Sequence, residues 1–352
     1  MGGQDRPLQV EQFSNSKLGG GGVYDRTNHA ASLFRATEWW GYKIAPVLGI
    51  FYATVLRQGE ALASRWFSIL ELVGALVAGA VFVSLLNDYT DRNDDRKAGK
   101  ANRLEAVPKA QAFGLIAFAV SVGMLFLWQF SDRPLIFGTY VVGWVTFALY
   151  SLPPFRLKAR ATFGALADAG GSHVIPALLA VFVAQSATTR IVDSAWVVAV
   201  LLWSAAFGMR GIVWHQLLDE ENDRRSGLQT FVVRRPWAVR PLIRWIAFPI
   251  ELVSLAAMLV LIGSSAPLFA FAIYALFLLA KIGQFGQQPM LVRSGPRTVL
   301  VMNEYYELFL PVALLIHLVT RNPADVWVLA AHTALFSGMF AKALRDLGKV
   351  LD

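Results

Sequence analysis

The 352-residue chain contains no cysteine. That excludes a disulfide framework, a thiolate metal site and a cysteine nucleophile together, so any chemistry must come from other groups. Charge is also scarce: Asp, Glu, Lys and Arg make up 16% of the residues, against about 25% in ordinary soluble domains. Apolar residues take their place, at 56%. They fall in runs near the ~20 residues that a bilayer crossing needs, from about Trp39 to Ala343. A soluble globular fold is excluded. Acidic charge is the scarcer sign, with 24 Asp and Glu against 32 Lys and Arg for a net charge of +8. In a soluble protein that excess suggests nucleic acid. In a membrane chain it reports orientation and contact with anionic lipid, and no nucleic-acid partner is expected.

The first 36 residues lack the apolar core of a signal peptide and include the run Gly19 to Gly22. They read as a mobile polar tail. Spans are predicted at roughly 37–57, 66–88, 110–130, 134–151, 162–186, 195–217, 241–263, 266–286, 304–320 and 325–343. Connections after even-numbered spans carry most of the basic residues: Arg92, Arg96, Lys97, Lys100, Arg103 and Lys109; Arg156, Lys158 and Arg160; Arg224, Arg225, Arg234, Arg235 and Arg240; Arg293 and Arg297. The odd connections hold only Arg57, Arg65, Arg133, Arg190 and Arg321. The positive-inside bias therefore predicts even connections and both termini on the cytoplasmic side. Residues 37–345 read as one all-α, polytopic transmembrane bundle of about nine to ten helices.

An internal repeat emerges when the two most acidic connections are superposed. Asn87-Asp-Tyr-Thr-Asp-Arg-Asn-Asp-Asp-Arg-Lys-Ala-Gly99 aligns with His215-Gln-Leu-Leu-Asp-Glu-Glu-Asn-Asp-Arg-Arg-Ser-Gly227. Asp91 matches Asp219, Asp95 matches Asp223, Arg96 matches Arg224 and Gly99 matches Gly227. Both copies follow an even-numbered span, so the repeats are parallel and their clusters are expected to face each other across one cavity mouth.

If the helix continues through each cluster, Asn87, Asp88, Asp91 and Asp95 fall within about 100° of one another, and Asp219 and Asp223 within about 40°. So many carboxylates on one stripe repel unless a cation neutralises them, and hard oxygen donors suit Mg²⁺. The adjacent Arg92, Arg96, Lys97, Arg224 and Arg225 supply positive charge for a polyanion. One such cluster is ordinarily a solvated helix end with salt bridges. A repeated pair at matching spacing points instead to a diphosphate site. A cation-coupled transporter also keeps intramembrane carboxylates, but near the midplane on broken helices rather than at span ends among basic residues.

These motifs resemble a known pattern. Asn87-Asp88-x-x-Asp91-x-x-x-Asp95 and Asp219-x-x-x-Asp223-Arg224-x-x-Gly227-x-x-Thr230 look like the paired aspartate signature of the UbiA superfamily of intramembrane prenyltransferases. Tyr150-Ser-Leu-Pro-Pro-Phe-Arg156-Leu-Lys158 is similar to that family's segment after the fourth helix. The resemblance covers roughly 40–320. It implies a bundle, usually of nine helices, around a central cavity, with Mg²⁺ binding an isoprenoid diphosphate at the mouth. Carried over, Asn87, Asp88, Asp91, Asp95, Asp219 and Asp223 are the metal ligands. Arg156 and Lys158 match the residues that grip the diphosphate, with Tyr150 beside them; the charge beside the aspartates adds Arg96 and Arg224 to the expected diphosphate-binding set. The implied reaction is transfer of a prenyl group to an acceptor that the sequence does not identify. A cyclase on the same fold is the alternative, and a transporter or lipid-diphosphate binder a more remote one.

Three departures from the family pattern stand out. His215-Gln216 occupies the place of a second Asn-Asp pair, Asn102-Arg103-Leu104 lacks a proline after its arginine, and a tenth span is one more than usual. His215, one turn before Asp219, is the intramembrane group best placed to orient an acceptor or take its proton, so Asp88, Asp91, Asp219 and His215 are the expected catalytic set. Asp168, His173 and Arg210 are further ionisable groups within spans, while Glu251 and Lys281 read as structural. Trp39, Trp40, Tyr89, Trp203 and Trp214 are candidates to face an allylic cation, although aromatics in spans are more often packing.

Overall fold

The computed structural model describes residues 34–99, 101–186, 193–292 and 298–351. The expected polar tail lies almost wholly outside the described residues, as do Lys100, Arg190, Arg293 and Arg297 of the charge argument.

The helices run in chain order as α1 (Ala45–Gln58), α2 (Trp66–Ala98), α3 (Lys109–Gln129), α4 (Pro134–Ser151), α5 (Ala161–Ser186), α6 (Ser194–Leu218), α7 (Glu220–Ser226), α8 (Pro236–Ile262), α9 (Ala266–Phe285), α10 (Leu310–Arg321), α11 (Val326–Leu335) and α12 (Ser337–Leu351). Seven of the described helices are long and apolar enough to cross a membrane, or up to eight counting one bent pair. A parallel pair of three-residue strands, β1 (Gln288–Met290) and β2 (Thr298–Leu300), follows α9 with Gln288 opposite Thr298.

Helix α1 is buried at every position but Arg57, as expected of a helix apolar on all sides at a bundle centre. Helices on the outside expose large apolar side chains, among them Phe113, Phe118, Trp128, Val260, Phe269 and Leu276. An exposed belt of this kind needs hydrocarbon as its solvent. The chain is an integral, multi-pass membrane protein.

Polar ties cross the interior. Arg210 of α6 donates from Nε and a terminal nitrogen to Glu251 of α8, both at 2.9 Å, and Tyr306 Oη donates to the same carboxylate at 2.9 Å. Lys281 pairs with Glu304 at 2.6 Å and Asp346 at 3.0 Å. Glu251 and Lys281 thus hold helices together, as the sequence suggested.

The tenth span differs from expectation. Residues 323–335 and 337–348 form two helices bent by 77° around Phe336, which is buried. The cause is legible: Ser337-Gly338 opens a segment carrying Lys342, Arg345 and Asp346, charges too costly to carry straight on into hydrocarbon.

Candidate functional site

Helix α2 continues unbroken through the first acidic motif and stops at Gly99, whose φ of 67° favours glycine. Asn87, Asp91, Asp94, Asp95 and Ala98 line one polar pocket, a stripe about 100° wide at the helical pitch. Asp94, not singled out from the sequence, lies at its edge, one heptad beyond Asn87.

The second motif behaves differently. Helix α6 ends at Leu218, and Asp219 adopts φ −93° and ψ 2° before α7 begins. The continuous helix expected there is therefore bent at Asp219. The backbone N–H of Asp223 still donates to the Asp219 carbonyl at 2.8 Å, so the turn survives. Asp219, Asn222 and Asp223 line the same pocket as the first cluster. Helix α7 ends at Gly227, φ 77°, matching Gly99.

The loop after α4 supplies the cations. Arg156 donates to Asp94 at 2.5 Å and Asp91 at 3.1 Å, and Lys158 donates to Asp91 at 2.5 Å and Thr90 at 3.1 Å. Burial pushes the Lys158 ammonium below the usual lysine range, against the pull of Asp91. Gly164 makes the approach possible: a Cβ there would lie 2.7 Å from the Leu157 carbonyl and 3.1 Å from Lys158 Cα. The Ala161 N–H donates to the Gln229 carbonyl at 2.9 Å, stitching this loop to the segment after α7.

The polar pocket, about 180 Å³, shares Arg35, Asn87, Tyr150, Ile212, His215 and Asp219 with a larger chamber of about 310 Å³. That chamber is lined mainly by apolar groups, with α4 contributing Tyr140, Trp144 and Phe147 at helical spacing. Its aromatic lining differs from the one expected. Of the five candidates only Trp39 lines it. Trp40 donates to the Leu335 carbonyl, Trp203 packs on Phe207 and Tyr306, Tyr89 stacks with Arg92 and Trp214 lies against His215.

Three expected site residues stand outside both chambers. Asp88 is fully buried and paired with Arg35. Its repeat partner Gln216 is also buried and accepts from the Val232 N–H at 3.2 Å, although Gln216 itself borders the polar pocket. The second position of each motif thus anchors neighbouring backbone or side chain. Arg96 is exposed and faces Glu105 at 3.4 Å, and Arg224 faces Glu220 at 2.7 Å. Both arginines point outward because Arg96 falls about 180° around α2 from Asn87 and Arg224 about 160° around α7 from Asn222. The remaining expected residues, Asn87, Asp91, Asp95, Tyr150, Arg156, Lys158, His215, Asp219 and Asp223, line the pocket. Asp94, Asn222 and Arg35 are additions.

The donor set fits Mg²⁺. Carboxylate and amide oxygens from two helices line one pocket, and among the described residues the pocket's Thr230 holds a buried hydroxyl with no hydrogen-bond partner. Among the described residues no three His, Asp or Glu side chains are already gathered as a ligand group. Arg156, Lys158 and Asn102, which donates to Asp95 at 2.7 Å, hold the first cluster instead.

The family model for the UbiA prenyltransferase family matches residues 46–290. Among solved structures, a UbiA homologue from Archaeoglobus fulgidus bound to GPP and Mg²⁺ superposes with a TM-score of 0.55 at 15% identity, over 86% of this chain and 99% of that one. Another structure of a UbiA homologue from that organism gives a TM-score of 0.52 at 16% identity, over 88% and 99%. No protein of curated function matches the sequence. At such identities the superpositions speak for the fold alone; the family match spans well over half of the chain, and with it the chain belongs to the UbiA prenyltransferase family.

Proposed function

We propose that the protein transfers a prenyl group from an isoprenoid diphosphate to an acceptor within the membrane, in an Mg²⁺-dependent reaction. One observation carries this reading: a pocket lined by two acidic clusters and by Arg156 and Lys158 opens into an apolar chamber. Polar head and hydrocarbon tail of a prenyl diphosphate match these two compartments. The GPP and Mg²⁺ bound to the archaeal homologue support the same pairing.

Asn87, Asp91, Asp94 and Asp95 would hold metal from one side, and Asp219, Asn222 and Asp223 from the other. Bound Mg²⁺ supplies neutralisation of the diphosphate and stabilises it as a leaving group. Arg156 and Lys158 complete that neutralisation from the α4–α5 loop, at a mouth whose inner chamber restricts water. His215 borders both compartments and orients the acceptor. Residues 37–345 act as one domain of two parallel repeats, with both motifs and the N-terminus on the cytoplasmic side.

The test is incubation of purified protein with labelled prenyl diphosphates of several lengths, with and without membrane extract, in Mg²⁺ or excess EDTA. Extract-dependent, Mg²⁺-dependent conjugates are expected. Cyclised product without extract would make the protein a cyclase, and retention of intact diphosphate in every condition would refute an enzymatic role.

A further inference from the structure

The inner chamber contains one carboxylate that no motif accounts for. Apart from Asp219 at the shared mouth, Asp168 of α5 is the only acidic side chain lining it among the described residues. Its hydrogen-bond partner among the described residues is the Ser172 hydroxyl, one turn on, which donates at 3.4 Å. Asp91 and Asp94 meet Arg156 and Lys158, whereas no cation is paired with Asp168 among the described residues. The cations that line the same chamber, Arg35 and Lys43, are not paired with it, and a carboxylate kept in an intramembrane chamber marks chemistry.

Its placement is fixed. Two residues later α5 loosens into a π-helical turn, Gly170–Val174, a feature frequent at functional sites. The turn is wedged on both sides. A Cβ on Gly171 would lie 2.7 Å from the Phe147 ring, and one on Gly208 of α6 would lie 2.9 Å from the Ala169 carbonyl. Asp168 therefore cannot swing away with its helix. Tyr150 lines both compartments, the chamber together with Asp168 and the polar pocket together with Asp91, Asp219 and Asp223. Asp168 thus shares the inner chamber with Tyr150, His215 and Asp219 of the mouth, the junction that the reacting end of a prenyl diphosphate occupies when its head is in the polar pocket and its tail in the chamber.

We propose that Asp168 accepts the proton lost when the allylic cation is captured; this rests on the prenyl diphosphate reading above. The bond between C1 and the diphosphate oxygen breaks, and its electron pair leaves with the diphosphate. An electron pair of the acceptor, from an aromatic carbon or a hydroxyl oxygen, forms the new bond to C1. The proton displaced from that atom passes to the Asp168 carboxylate, leaving a neutral acid beside Ser172. The acceptor class that follows is one that sheds a proton on alkylation. Without an acceptor, the same base removes a proton from the cation itself and leaves one more double bond, a triene when the cation is geranyl.

The experiment uses the full chain in nanodiscs with labelled geranyl diphosphate and Mg²⁺, with and without total membrane lipid extract. Binding is measured at equilibrium, and products are separated into geranyl alcohols, trienes and conjugates. For Asp168→Asn, the ratio of trienes plus conjugates to alcohols should fall by about 100-fold, the lower range of general-base contributions. Geranyl diphosphate binding should stay within about threefold, and Asp168→Glu should recover part of the ratio. An unchanged ratio in Asp168→Asn overturns the proposal. So does a parallel loss of binding in both variants, which would place Asp168 in the diphosphate site or the fold. Wild-type protein that fails to bind or ionise geranyl diphosphate would instead overturn the parent reading, and this one with it.

Discussion

Lys158→Met separates metal binding from diphosphate binding because the lysine acts on them with opposite sign. Its ammonium lies 2.5 Å from Asp91 Oδ1 with the side chain 7% exposed, so the contact is a shielded, charge-assisted hydrogen bond worth about 1.5–3 kcal/mol. Mg²⁺ binding to Asp91 in the absence of diphosphate must break or share that contact. Removing it should raise Mg²⁺ affinity by roughly 10- to 100-fold, since each 1.4 kcal/mol is tenfold. Diphosphate binding then loses one of the two pocket-lining cations of the α4–α5 loop, and geranyl diphosphate affinity at saturating Mg²⁺ should fall by a similar factor. Methionine fills the space of the buried stem, so the fold is expected to persist in a thermal melt. Isothermal titration with Mg²⁺ alone, then with geranyl diphosphate in excess Mg²⁺, reads the two effects separately. If both affinities move in the same direction, Lys158 does not mediate between the two and the assignment of the loop is wrong.

Asp94→Asn should reduce prenyl transfer by about 100-fold, since changes even to the groups that support metal ligands cost about 10- to 100-fold, while Arg96→Ala should leave it within about threefold because its surface pair contributes little; equal losses in steady-state assays would restore Arg96 to the site. Gly164→Ala should push the Leu157–Ala159 turn away from α5, since the new Cβ would meet the Leu157 carbonyl at 2.7 Å. Geranyl diphosphate binding should weaken about tenfold, near the cost of a lost charged hydrogen bond, and unchanged binding would show that the turn adjusts freely.

Much of the site was legible because its logic is one-dimensional. The repeat, the spacing of its aspartates and the basic pair Arg156 and Lys158 are set along the chain, and the structure brings them to one pocket. What was missed depends on angle and on distant partners. Arg96 and Arg224 neighbour the aspartates in sequence but not on the helix face, which a strict reading of the pitch would have shown. Asp94 was overlooked on the same grounds, although it belongs to the stripe. Asp88 is different: only the arrival of Arg35, 53 residues earlier, shows where its carboxylate is engaged. The chamber's aromatic stripe on α4 was hidden because every side of a membrane helix is apolar, so periodicity cannot tell cavity from lipid. The bend at Asp219 has no breaker residue to announce it.

The contacts beyond residue 290 carry a consequence for how this architecture can be cut and recombined. The recognisable family segment ends at 290, yet Tyr306 completes the Glu251 cluster, Asp325 accepts from the Ala63 N–H at 2.7 Å and His332 meets Tyr52 at 3.2 Å. Each tie reaches from the last helices to α1, α8 or the turn before α2. The part that carries the signature and the part that closes the bundle are therefore not the same piece. A chimera joined at residue 290 would place a foreign tail against Tyr52, Ala63 and Glu251, all shaped for partners it does not have. Exchange between relatives would have to move the terminal helices together with α1 and α8, so the smallest portable module is nearly the whole described bundle.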